Sequence, residues 1–306
     1  MNRFKHNTFF QLFFFGNYFA GVCAIALSLE GSLQQHVPLF DPLFYILAFA
    51  ATVSYYSLAY IRTEFSPESA TNRTSWYTQH HTLMNRTQAI FLFILVIGSV
   101  YFAVKNIETI LNLSLFEWTL IILFPLVSAF YYGVDNKFIG KHNLRNIGWL
   151  KPLIIGFTWA GLVTVFPVMF YAIEHTTHYE LTLVGCFLFL KNVMFITVLS
   201  VLFDIKDYAM DYNVQLKTLV VKLGLRKTLF YIIIPLCVVG LCSFLIYAHL
   251  QNFSLMKRVI NTLPFLAVIA VTYSMYNRRD IFYYLIVIDG LMLFKALCGI
   301  TAMIFF

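Results

Sequence analysis

Charge is what this chain has least of. Only 11% of its 306 residues are Asp, Glu, Lys or Arg, while 60% are hydrophobic, and the mean hydropathy is +0.77. That balance excludes an ordinary soluble domain and identifies an integral membrane protein. Cysteine is equally uninformative as a framework. The five residues at 23, 186, 237, 242 and 298 fall in apolar runs without a C-x-x-C spacing, so neither a disulfide scaffold nor a zinc site is expected. Internal repeats and low-complexity linkers are missing, as is a pair of Gly/Pro-interrupted hydrophobic segments, which disfavours a small-molecule transporter built on broken helices. The net charge of +7 is distributed by topology and gives no reason to expect nucleic acid. The first apolar segment is too long for a signal-peptide core and lacks a small-residue cleavage site, so it reads as a retained helix.

What is present is long hydrophobic runs. About 20 apolar residues cross a bilayer as a helix, and nine segments meet that need: 9–29, 38–61, 88–104, 115–132, 150–172, 181–203, 228–250, 259–276 and 280–305. The reading is an all-α membrane protein forming one integral domain over 1–306. Sixteen Lys and Arg residues fall at the N-terminus or after even-numbered spans, and three (Lys105, Lys257, Arg258) on the opposite side. The positive-inside rule then puts the N-terminus in the cytoplasm and the C-terminus outside, with the bacterial inner (plasma) membrane as the expected location. The polar segments 62–87, 133–149 and 204–227 are expected to form cytoplasmic cap loops.

One of these segments carries the densest chemistry. Residues 204–211 read DIKDYAMD, directly after the apolar run 183–203. Spacings of three and four put Asp204, Asp207 and Asp211 within roughly 60° of arc on one helix face. Three like charges on a face repel each other, and a hard divalent cation such as Mg²⁺ offers a reason to keep them together. A solvated helix end is the plainer alternative, although carboxylates at a helix C-terminus oppose the macrodipole.

The stretch continues with Lys217, Thr218 and Leu219, then Gly224. D-x-x-D-x-x-x-D followed by K-T-L-x-x-x-x-G resembles the second aspartate-rich motif of the UbiA-type intramembrane prenyltransferases. The resemblance covers about 25 residues in specific motif. It implies a nine-helix UbiA-like bundle with a cytoplasmic active site, which is where the span count puts the aspartates. It implies transfer of a prenyl group from a polyprenyl diphosphate to a membrane-soluble acceptor, an alkyl transfer other than methyl. Asp207 and Asp211 would bind Mg²⁺, with Asp204 as a further ligand or as the base that receives the acceptor's proton. Lys151 and Arg145, before the fifth span, match the region where the family contacts diphosphate. Headgroup anchoring is their alternative role.

The chain departs from the family at the first motif, N-x-x-x-D-x-x-x-D. Residues 52–81 contain no aspartate; aligned on Tyr56, Ser57 stands at the Asn and Ile61 at the first Asp, with only Glu64 and Glu68 nearby. Arg62 and Arg73 could bind diphosphate directly as bidentate donors, or serve as ordinary loop charges. The missing motif also supports a different class of function, a non-catalytic isoprenoid- or lipid-binding homologue.

Within the spans, Lys191, Asp289 and Lys295 are functional suspects by default. Lys191 and Asp289 are expected to pair across the bundle, and Asn17, Asn192 and Trp159 to line a cavity. A transporter would use those charges as its pathway. His80–His81 and His175/His178 are not expected to bind metal.

Overall fold

The computed structural model describes residues 8–38, 41–61, 72–132, 147–213, 218–275 and 281–306, with the side chains of 72, 132, 207 and 209–213 outside the described set. Among the described residues, seven helices are long and apolar enough to cross a membrane, and a bent pair makes up to eight. The chain is therefore a multi-pass membrane protein. The helices are α1 (Thr8–Phe15), α2 (Tyr18–Gln34), α3 (Pro42–Ile61), α4 (Asn72–Gln79), α5 (His81–Lys105), α6 (Ile107–Leu111), α7 (Leu115–Tyr132), α8 (Lys151–Glu174), α9 (Leu183–Asn213), α10 (Leu219–Leu223), α11 (Leu225–Leu250), α12 (Leu255–Ser274) and α13 (Ile281–Phe305). The nine expected spans thus meet seven qualifying helices and one bent pair among the described residues, while the segment expected at 115–132 is a shorter apolar helix.

Contacts group the chain into two compact units, one of residues 1–26 with 40–112 and the other of 27–39 with 113–306. In the first, α3 packs against α5. Gly98 allows this approach, since a Cβ there would lie 2.8 Å from the Leu47 side chain. In the second, α9 is central and packs on α8 and α11, while α12 lies against α13. Gly156 sets the α8–α9 spacing: a Cβ there would sit 2.2 Å from Thr197 Oγ1 and 2.7 Å from Val193 O.

The first span is broken, contrary to the expectation of uninterrupted segments. α1 and α2 meet at 56°. The hinge is Gly16–Asn17, where Asn17 takes a left-handed φ of 63°, a conformation that Asn tolerates better than most residues.

Three spans contain π-helical turns, at Gly161–Val165, Leu229–Ile233 and Tyr284–Ile288. The first two end two residues before Pro167 and Pro235. A proline offers no N–H, and its ring crowds the carbonyl one turn back; widening that turn by one residue relieves the crowding. In α8 the opened backbone is used. Gln35 Nε2 donates to Thr164 O at 2.9 Å, Asn192 Nδ2 donates to Thr164 Oγ1 at 2.8 Å, and a Cβ at Gly31 would lie 2.1 Å from Val163 O.

α7 starts with a capping box. Ser114 N and Oγ both donate to Glu117 Oε2 at 2.7 Å, and Glu117 N returns to Ser114 Oγ at 3.3 Å, which satisfies donors at the helix start reciprocally.

Candidate functional site

α9 continues unbroken through Asp204 to Asn213, so Asp204 and Asp207 stand within the helix and Asp211 in its last turn. The segment 204–227 is accordingly helical over 204–213, with α10 and the start of α11 following. The motif residues beyond it have local structural work. Thr218 is the N-cap of α10, its side chain accepting from Val221 N, and Gly224 at φ 77° makes the turn into α11. Side-chain oxygens are favoured at N-caps, and glycine is the residue that meets a positive φ without strain.

Asp204 is fully buried, and its Oδ1 accepts from Lys151 Nζ at 2.5 Å. The close α8–α9 crossing at Gly156 brings the pair together, because Lys151 begins α8 while Asp204 lies further along the antiparallel α9. A lysine in the first turn of a helix opposes the macrodipole, and the adjacent carboxylate offsets this. Two expected site residues, one assigned to metal and one to diphosphate, thus neutralise each other here. Asp207 and Asp211 follow on the same helix face, about 4.5 and 10.5 Å beyond Asp204 along the axis. Their side chains, and all of Arg62, Arg145 and Lys217, lie outside the described residues. Among the described residues no three His, Cys, Asp or Glu groups converge on a metal position. Asp204, one of the three expected metal ligands, is paired with Lys151.

In the first unit, Arg73 lies on α4. It is buried and donates through Nη2 to Phe15 O at 2.9 Å and to Asn17 Oδ1 at 2.5 Å. Its guanidinium lies 4.3 Å from the Tyr60 ring centroid, and Tyr60 stacks on Tyr77. Asn17 Nδ2 donates to Ser57 Oγ and to Tyr77 OH, both at 3.2 Å. Burial pushes the Tyr77 phenol above its ordinary range while Arg73 opposes the shift. The cluster ties α4 and α3 to the α1–α2 hinge, so both Arg73 and Asn17 serve the break itself.

The expected Lys191–Asp289 pair is corrected by the geometry. Lys191 donates to Glu30 Oε1 at 3.2 Å and to Gln34 Oε1 at 2.8 Å, and Lys295 binds Glu30 Oε2. Gln34 Nε2 donates in turn to Glu30 Oε1 at 3.1 Å and to Asn261 Oδ1 at 3.0 Å, and Tyr247 OH donates to Gln34 O at 2.7 Å. Glu30, Lys191 and Lys295 are each at most 3% exposed. Sequence reasoning missed Glu30 because the first span was ended at residue 29, whereas α2 runs to Gln34. The available signal was charge balance: two intramembrane lysines demand a carboxylate.

No protein-family model and no curated protein matches the chain. Among solved structures, a digeranylgeranylglyceryl phosphate synthase studied in membranes superposes with a TM-score of 0.57 at 12% identity, over 96% of this chain and 99% of that one. At that identity the likeness is one of fold: this chain folds like that synthase over nearly its whole length.

Proposed function

We propose that the protein is a UbiA-like prenyltransferase that moves a prenyl group from a polyprenyl diphosphate to a membrane-soluble acceptor. One observation carries the reading: the D-x-x-D-x-x-x-D and K-T-L-x-x-x-x-G residues stand on and after α9 in a chain that shares a membrane synthase's fold end to end. Asp207 and Asp211 would hold Mg²⁺, which when bound neutralises the diphosphate leaving group. Lys151 and Asp204 form the apolar-side boundary of that face, where the paired charges hold the α8–α9 crossing and keep a cation close to the diphosphate position. The prenyl tail asks only for apolar surface, and aromatic faces can stabilise an allylic cation by about 0.5–2 kcal/mol each.

The test is diphosphate release by membranes containing the protein, supplied with allylic diphosphates and with lipid and quinone extracts. Release that requires Mg²⁺ and disappears in Asp207→Asn is expected, and the labelled product identifies the acceptor. A second reading, a non-catalytic isoprenoid binder, is favoured by the missing first motif together with one specific feature: Arg73, the candidate substitute diphosphate donor, is already engaged by Phe15, Asn17 and Tyr60. Absence of release from folded protein that still retains prenyl lipid would decide for it.

A further inference from the structure

The Glu30 cluster stands about 20 Å along α9 from Asp204, counted as thirteen residues from Lys191 at 1.5 Å each. The proposed prenyl transfer does not use it. Its charges do not balance: two lysines face one glutamate. The groups come from every element around it, namely Glu30 and Gln34 of α2, Lys191 of α9, Tyr247 of α11, Asn261 of α12, and Lys295 and Cys298 of α13. Glu30 is the carboxylate available to both ammonium groups among the described residues. A surplus unit charge in so dry a place costs several kcal/mol, and such a group neutralises rather than remain ionised.

An added anion would balance the cluster, but packing opposes one. A Cβ at Gly299 would lie 2.4 Å from Glu30 Cγ, and one at Gly31 would lie 2.1 Å from Val163 O. A site without room for a methyl group beside its carboxylate has room for a proton. The two lysines are also unequal. Lys191 has two oxygen acceptors, whereas Lys295 has Glu30 alone among the described residues, with the Phe195 ring at 5.7 Å.

We propose that the cluster is an intramembrane proton-binding site at which Lys295 alternates between ammonium and amine. In the deprotonated form Glu30 and Lys191 make a neutral pair, and the Lys295 amine remains against them. In the protonated form the cluster carries one positive charge. The proton breaks from Nζ, leaves to water and returns to the Nζ lone pair, with no other bond changed.

The experiment uses full-length protein carrying ¹³Cε-labelled lysine in zwitterionic phospholipid nanodiscs, without prenyl substrate, so its outcome is independent of the transferase reading. One buried lysine resonance should shift with a midpoint between about pH 6 and 10, and should vanish in Lys295→Met. Lys295→Arg keeps the charge without titrating in this range and should likewise lose the shift. Thermal stability should rise with pH through that midpoint in wild type, because the unfolded chain then binds more protons than the folded one, and the rise should be absent in Lys295→Arg. Two buried lysines that stay charged throughout, observable in wild type even if both variants misfold, would overturn the proposal. A titration assigned to Lys191 would overturn it equally.

Discussion

A buried carboxylate is tolerated only while its counter-charge is present. Asp204 is fully buried and Lys151 about one-fifth exposed, so removal of the lysine takes from a buried carboxylate the ammonium group bonded to it. Lys151→Met should destabilise the protein by about 3–5 kcal/mol, seen as a lower midpoint in detergent thermal unfolding. Lys151→Met with Asp204→Leu should recover most of the loss, because no charge is then stranded. The two glycine classes make an opposite-signed pair. Gly31→Ala drives a Cβ onto the Val163 carbonyl, a backbone atom with no rotamer to escape by, and should cost about 1–3 kcal/mol. Gly290 sits in α13 with nothing within 4 Å of its virtual Cβ, so Gly290→Ala should raise stability by about 0.5–1 kcal/mol. The same thermal assay reads both.

The helices themselves were legible as hydrophobic runs, because a bilayer asks for length and apolarity and both are properties of composition. Their ends were not. α2 continues to Gln34 because Glu30 and Gln34 find partners on other helices, and that information is absent from any local window. α9 continues to Asn213 through three aspartates that, by local charge alone, should have ended it. The Asp204–Lys151 pair was hidden for a related reason: both residues had been singled out, but their meeting depends on the Gly156 crossing, which is set by packing. In the sequence Arg73 is a loop charge or a candidate diphosphate donor, and its role at the hinge depends on the break in the first span. The π turns show how proline can be read within a span. Pro235→Ala should let Leu229–Ile233 return to an α turn, since among the described residues no side chain bonds to those carbonyls. Pro167→Ala should leave its turn in place, because Gln35 and Asn192 hold Thr164 from outside. Amide hydrogen exchange across the two turns separates the cases, with protection rising in Pro235→Ala and unchanged in Pro167→Ala.

At the scale of the whole molecule, the distribution of basic residues makes a claim about orientation that packing cannot make. Sixteen lysines and arginines against three assign one end of the helices to the cytoplasm, because translocating a basic segment is unfavourable while retaining it is not. On that orientation the DIKDYAMD segment is expected on the cytoplasmic side and the loops containing His178 and Asn252 on the other. Single cysteines at Ala70, His178 and Asn252, in a background with the five native cysteines replaced, test it with a membrane-impermeant maleimide. In intact cells positions 178 and 252 should label and position 70 should not, while inside-out vesicles should reverse the pattern. The consequence reaches beyond topology. If position 70 labels from outside, the aspartate face on α9 opens away from the cytoplasm, and a prenyl diphosphate made there could not reach Asp207 and Asp211 without first crossing the bilayer. A transferase and its substrate supply would then be on opposite sides, so the labelling pattern constrains the chemistry as directly as a substitution within the site.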